Sequence, residues 1–182
     1  MSLSNSPSWY VLTGGPSTGK STVLHQLAAG GYTIFEEAAR LYIDELIAQG
    51  ETLADIRGNE QQFQEKVLNI KINTERKHDK NTVSIFERGI QDTIAYYQYY
   101  GWHMPDNLKK LALKARYRKV FLLEPLKTFT KDYARTEDMQ FTEDLDELLY
   151  KAYNTAGMEV VRIPLIPINQ RVQLIIKHIQ SS

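Results

Sequence analysis

A three-layer α/β fold, with a five-stranded parallel sheet and helices on both faces, is the architecture this sequence predicts, on three observations. Strand-like apolar runs alternate with segments of helical periodicity. Between the first run and the first helical segment, residues 14–21 read G-G-P-S-T-G-K-S. Charged residues follow three of the apolar runs, at the strand ends where open parallel sheets gather their ligands.

In chain order, residues 1–8 are polar and Ser-rich and are expected to form a flexible lead-in to a single domain over residues 9–182. Trp9–Thr13 (WYVLT) is aromatic and β-branched, as a buried strand requires. Residues 21–29 set Val23, Leu24, Leu27 and Ala28 at helical spacing and end at Gly30-Gly31, a helix stop. Further strands are expected at residues 32–35, 82–86, 119–123 and 159–163, and helices near 37–49, 60–77, 92–100, 106–115, 142–155 and 169–179. Residues 54–59 and 101–105 read as surface loops. In the longest helix Phe63, Val67 and Ile70 recur at spacings of four and three, a stripe assigned to packing.

Bulk properties exclude several function classes. Of 182 residues, 42% are hydrophobic, enough to bury one sizeable core. Lys plus Arg and Asp plus Glu each number 22, so no net field draws in nucleic acid or an anionic membrane. No run approaches the roughly 18 apolar residues of a membrane-spanning helix, and residues 1–8 lack a signal-peptide core; a cytoplasmic protein is expected. The absence of Cys excludes disulfides, thiolate zinc sites and Cys nucleophiles. His25, His78, His103 and His178 show no metal-ligand spacing.

The octet is a complete G-x-x-x-x-G-K-[ST] phosphate-binding loop, the mark of a P-loop NTPase fold. Gly14, Gly15, Pro16, Ser17, Thr18, Gly19, Lys20, Ser21 and Thr22 are expected to bind ATP. The glycines let backbone N–H groups turn toward phosphate oxygens, Lys20 reaches the β- and γ-phosphates, and the Ser21 hydroxyl can ligand Mg²⁺. The helix that follows aims the positive end of its dipole at the same place.

A phosphate loop does not distinguish kinase from ATPase, so the other strand ends must. In Phe35-Glu36-Glu37-Ala38-Ala39-Arg40, Glu37 and Arg40 lie three apart and would share a helical face above the sheet. A carboxylate there can take a proton from a substrate hydroxyl and an Arg can hold a substrate anion; Glu37 is preferred to Glu36. In Phe86-Glu87-Arg88-Gly89 a strand ends on a carboxylate suited to Mg²⁺ or its water shell, with Arg88 at the substrate mouth. Asp92 opens the next helix and reads as an N-terminal cap.

Lys127, Lys131 and Arg135 recur every four residues and would stack on one face if residues 126–136 are helical. Such a stripe after the fourth strand suits a helical lid, with Arg135 neutralising charge on the transferred phosphoryl group. Ile163-Pro164-Leu165-Ile166-Pro167 is a stiffened apolar loop suited to flank a nucleotide base. Tyr96, Tyr97, Tyr99, Tyr100 and Trp102 can line a pocket, but aromatics at helical spacing more often form core or interface.

Together G-G-P-S-T-G-K-S, E-E-A-A-R, E-R-G-I-Q-D with Ala95-Tyr96-Tyr97, F-L-L-E-P, Y-A-R-T-E and A-Y-N-T-A-G-M-E-V-V-R-I-P resemble the AAA-like P-loop ATPase/kinase family related to the ribosylnicotinamide kinase domain. The resemblance spans nearly the whole chain and implies a nucleoside- or nucleotide-kinase-like fold using ATP and Mg²⁺. By position it matches Lys20 and Ser21 to the phosphate and metal residues, Glu37 and Arg40 to the second-strand acid and Arg, Glu87 and Arg88 to an Asp-Arg pair, and Arg135 to the lid Arg. Glu87 departs from that pair and is similar to the Glu-Arg-Ser motif of deoxynucleoside kinases.

The resulting expectation is a kinase that moves the ATP γ-phosphoryl group to a small hydroxyl-bearing metabolite, a nucleoside or ribosylnicotinamide-like compound. Catalysis would fall to Lys20, Glu37 and Arg135, substrate binding to Glu37, Arg40 and Arg88, and metal binding to Ser21 and Glu87. The alternative is a nucleotide-gated regulatory module or slow ATPase without a small-molecule acceptor. No N-K-x-D guanine-reading segment follows the fourth strand, where Glu124-Pro125 stands.

Overall fold

Short apolar segments rich in β-branched and aromatic residues become buried strands when both faces can be covered. In the computed structural model, which describes residues 7–125 and 139–182, five segments form strands: β1 (Trp9–Thr13), β2 (Thr33–Phe35), β3 (Ser84–Glu87), β4 (Lys119–Leu123) and β5 (Val160–Ile163), of which β1, β3 and β4 are buried throughout. All pair in parallel, in the order β2-β3-β1-β4-β5, so β1 lies at the centre.

Alternation along the strands sorts two cores. Tyr10, Leu12, Ile85, Phe121, Leu123 and Ile163 face α1 (Lys20–Ala29) and α8 (Ile168–Gln180), which contribute Val23, Leu24, Leu27, Val172 and Ile175. Trp9, Val11, Phe86, Val120 and Leu122 face the other way, toward α5 (Asp92–Tyr99) and α7 (Met139–Thr155). The remaining helices are α2 (Ala38–Ala48), α3 (Leu53–Ile56), α4 (Glu60–Lys77) and α6 (Asp106–Lys114). Ile43, Ile56, Phe63 and Val67 pack α2, α3 and α4 into a flap beside the sheet. The result is the expected three-layer P-loop fold.

Four local expectations are corrected. Strand β3 begins at Ser84 rather than residue 82, because its pairing with Trp9 starts there, and it runs on to Glu87. Helix α2 begins one residue late, so Glu37 is its N-cap and not a residue of its first turn. The loop expected at residues 54–59 overlaps α3, whose cap Thr52 accepts the Asp55 N–H. Residue Ser8, grouped by sequence with the lead-in, donates its N–H to Lys80 O at 2.7 Å and accepts the Ser84 N–H at 3.1 Å.

Candidate functional site

The parallel register brings three carboxyl-terminal strand ends together, since Leu12 pairs with Glu87 and Phe35 with Phe86. At the end of β1 the chain enters the phosphate loop, where Ser17 holds φ 56° and Gly19 caps α1 at φ 86°. The left-handed conformation is cheap for Gly19 and strained for Ser17, a pattern found where backbone donors are aimed at a ligand. Lys20 is buried, its ammonium donating to Gly15 O at 2.7 Å. Its side chain therefore lies along the loop rather than in solvent.

Two elements buttress the loop from outside. The Thr142 hydroxyl of α7 donates to Pro16 O at 3.4 Å. Arg171 of α8 is fully buried and donates from Nη1 to Thr18 O at 2.8 Å, and burial pulls its pKa below the ordinary guanidinium value. The first residue of α8 also approaches here, since a Cβ on Gly19 would meet Ile168 Cδ1 at 3.4 Å.

The open mouth is lined by Ser17, Thr18, Gly19, Lys20, Ser21, Thr22 and Arg40. At its inner edge the Ser21 hydroxyl donates to Glu87 Oε1 at 3.0 Å. Glu87 is 3% exposed. Burial and the Glu37 carboxylate raise its pKa, while Lys20, Arg88 and Ser21 pull the other way. A hydroxyl beside a carboxylate is a hard oxygen pair that fits Mg²⁺ completed by phosphate oxygens and water. Among the described residues there is no cluster of three acidic, His or Cys ligands, which such a shared site does not require.

Beside this mouth lies a small pocket of about 40 Å³ lined by Pro16, Glu37, Arg40, Phe63, Gln64, Arg88 and Tyr96, among others. Arg88 organises it. Its backbone is left-handed at φ 63°, its Nε donates to Glu37 Oε1 at 2.7 Å, and its guanidinium lies 5.7 Å from the Tyr96 ring centre. Burial alone would lower the Arg88 pKa, but Tyr96, Glu37 and Asp92 outweigh it and hold it well above its ordinary value. Glu36 points elsewhere, to an exposed pair with His25 at 2.7 Å.

The structure thus brings Glu37, Arg40, Glu87 and Arg88 around the loop. Lys127, Lys131 and Arg135 lie outside the described residues. Four residues in or beside the cavity have roles that sequence reasoning missed. Phe63 and Gln64 belong to the helix assigned to packing alone, yet Phe63 serves both the flap core and the cavity wall. Tyr96 was grouped with the core aromatics. Asp92 does not cap α5: its carboxylate accepts side-chain donors instead, from Thr13 Oγ1 at 2.9 Å and Arg88 Nη1 at 3.1 Å. The one available signal was its position four residues after Arg88.

A phosphate loop on β1, facing acidic strand ends on β2 and β3, defines a P-loop nucleotide-binding protein of kinase-like architecture. A family model described as an AAA domain matches residues 9–171, and the chain belongs to that family. No curated protein sequence matches it. Among solved structures it is similar to deoxyadenosine kinase from M. mycoides with bound dCTP, at 15% identity, TM-score 0.67, 96% of this chain and 100% of that one. It is also similar to thymidylate kinase from Ehrlichia chaffeensis, at 18% identity, TM-score 0.64 and coverages of 94% and 97%. The NadR protein in complex with NAD and AMP-PNP matches at 16% identity and TM-score 0.67, over 94% of this chain and 49% of that one. At these identities the likeness is one of fold. No described helix is long and apolar enough to cross a membrane.

Proposed function

We propose that the chain is an ATP-dependent kinase acting on a hydroxyl of a small nucleoside-like metabolite. The carrying observation is that Arg40 lines both the phosphate-loop mouth and the pocket beside it, with Glu37 in the pocket wall. Kinase-named fold neighbours and membership of the AAA-domain family support the reading.

Phosphoryl transfer asks mainly for positioning and charge neutralisation. The loop N–H groups and Lys20 would hold the β- and γ-phosphates. Ser21 and Glu87 would hold Mg²⁺, which supplies charge neutralisation on the phosphate oxygens. Glu37, oriented by Arg88, would accept the proton as the acceptor oxygen forms its bond to the γ-phosphorus and the bond to the β-phosphate oxygen breaks, leaving ADP. Phe63 and Tyr96 would flank a planar base, and Gln64 offers amide groups to its edge. An uncommitted ATPase would not need Glu37 in that place.

The test is ADP release from ATP and magnesium over a panel of nucleosides and related ribosides, with Lys20→Ala and Glu37→Gln beside the wild type. Acceptor-stimulated turnover that Glu37→Gln abolishes is expected. Basal hydrolysis that no panel member stimulates, equal in wild type and Glu37→Gln, would overturn the reading in favour of a nucleotide-gated module.

A further inference from the structure

The turn after β3 is held in place by more side chains than its length requires. Arg88 has a left-handed backbone, a conformation that is costly for a non-glycine residue and persists only where surroundings over-determine it. The residue after it is pinned at both its N–H and its carbonyl. Gly89 N–H donates to the Tyr153 hydroxyl at 3.0 Å, and Gly89 O accepts the Lys71 ammonium at 3.0 Å. Tyr153 in turn donates to Asp92 Oδ1.

Asp92 is where these lines meet. Fully buried, its carboxylate takes Tyr153 on one oxygen, and Thr13 Oγ1 and Arg88 Nη1 on the other. Thr13 is the last residue of β1, immediately before the phosphate loop. Arg88, by its other face, holds Glu37. A single carboxylate therefore ties the end of the donor strand to the residue that orients the acceptor-side acid. A buried charge of this kind keeps its place only with full pairing, and removing one partner leaves the other uncompensated.

We infer that Asp92 is a positioning residue: it fixes the Arg88 guanidinium against the end of β1 and so sets where Glu37 stands relative to the phosphate loop. Fully buried, it lines neither the mouth nor the pocket. Its consequence for turnover rests on the kinase reading above; its consequence for Arg88 does not.

Two measurements separate the cases. The first is hydrogen exchange of the Arg88 Nε–H, followed by ¹⁵N NMR of the arginine side chains in wild type, Asp92→Asn and Tyr153→Phe. Asn keeps the shape but loses the charge and offers one acceptor oxygen where the carboxylate has two, so Arg88 loses its ion pair and the three donors can no longer all be satisfied. Exchange in Asp92→Asn is expected to quicken at least roughly tenfold, while Tyr153→Phe, which leaves the Asp92–Arg88 and Asp92–Thr13 bonds in place, keeps Arg88 protected. Unchanged exchange in Asp92→Asn, or equal quickening in both variants, overturns the inference, because a merely structural role would move the two alike. Should Asp92→Asn fail to fold, Thr13→Val removes only the donor-side anchor and must still quicken Arg88 exchange.

The second is kinetic. In Asp92→Asn the acceptor kcat/KM is expected to fall roughly 10–100-fold, while affinity for a fluorescent ATP analogue stays within about twofold of wild type. Full acceptor kcat/KM in Asp92→Asn overturns the positioning role. A wild type that turns over no acceptor sinks the kinase reading alone and leaves the exchange result standing.

Discussion

The two halves of the site are built by different means. On the donor side, eight consecutive residues present their own backbone, and what the side chains add comes mainly from Lys20 and Ser21 within that octet. On the acceptor side, Glu37 comes from the cap of α2, Gln64 from α4, Arg88 from the turn after β3 and Tyr96 from α5. The first is a local object that one stretch of sequence specifies. The second exists only after four elements have docked.

Substitutions can break that contrast, and the largest effects are expected at Lys20 and Glu37, the groups the proposed reaction uses most directly. Lys20→Ala should abolish turnover and weaken nucleotide binding together. Glu37→Gln should lower kcat by about 10²–10⁴-fold, the range for a lost general base, with nucleotide affinity intact by titration of an ATP analogue. Loss of nucleotide affinity in Glu37→Gln would mean that the halves are not separable.

Gly89→Ala probes how tightly the acceptor half is docked. A Cβ there would lie 2.7 Å from the Tyr153 hydroxyl and 2.8 Å from a Tyr117 ring carbon. Both rings are buried, at 0% and 3% exposure, so neither can swing into solvent. A destabilisation of roughly 2–3 kcal/mol by chemical denaturation is expected from overpacking of this kind. An Ala variant as stable as wild type would show that the turn has room that the packing denies.

The same contrast explains what could be read from the sequence. The order of elements along the chain, the loop and the helix after it are all carried by periodicity and by a contiguous motif, and two of the five strands have the expected bounds. The preference for Glu37 over Glu36 was a choice between neighbours at one strand end; the fold adds that Glu37 pairs with Arg88 while Glu36 pairs with His25. Gln64, Phe63 and Tyr96 were not legible, since a helix stripe looks the same whether it faces a core or a cavity. Asp92 was misread for a related reason: an acid at a helix start suggests a cap, and only the fold brings Thr13, Arg88 and Tyr153 around it.

Gln64 tests a smaller term. Its Nε2 donates to Glu60 Oε1 at 2.9 Å, and the same Glu60 takes Arg57 in a two-pronged pair at 2.8 Å, so the amide is held in a fixed direction. Gln64→Ala should raise the acceptor KM about tenfold, the loss of one well-placed hydrogen bond in a cavity. The ATP KM should stay unchanged. A shift in kcat without a shift in acceptor KM would remove Gln64 from recognition.

The smallest effect separates backbone support from titratable support. Glu75 of α4 accepts the Tyr117 hydroxyl, and that hydroxyl accepts the Ile90 N–H, so Glu75 stands behind the turn that carries Arg88. Burial raises its pKa from 4.5 to about 7, against the Tyr117 bond and the Lys71 ammonium, which lower it. Folding therefore favours the protonated acid: this contribution is fully present below about pH 4.5, the unfolded value, and is lost as pH rises toward about 7. The linkage bound is about 3 kcal/mol at one unit per 1.36 kcal/mol, and on the order of 1 kcal/mol once the partial exposure of the side chain is allowed for. Glu75→Gln keeps an oxygen for Tyr117 and cannot ionise, so the difference in stability between variant and wild type should grow from pH 5 to pH 7.5 by roughly that amount. Nucleotide affinity, resting on loop backbone, should show no matching change between the two proteins. A pH-independent difference in stability would place Glu75 in water, and a nucleotide affinity that tracks Glu75 would mean that the donor half also leans on α4.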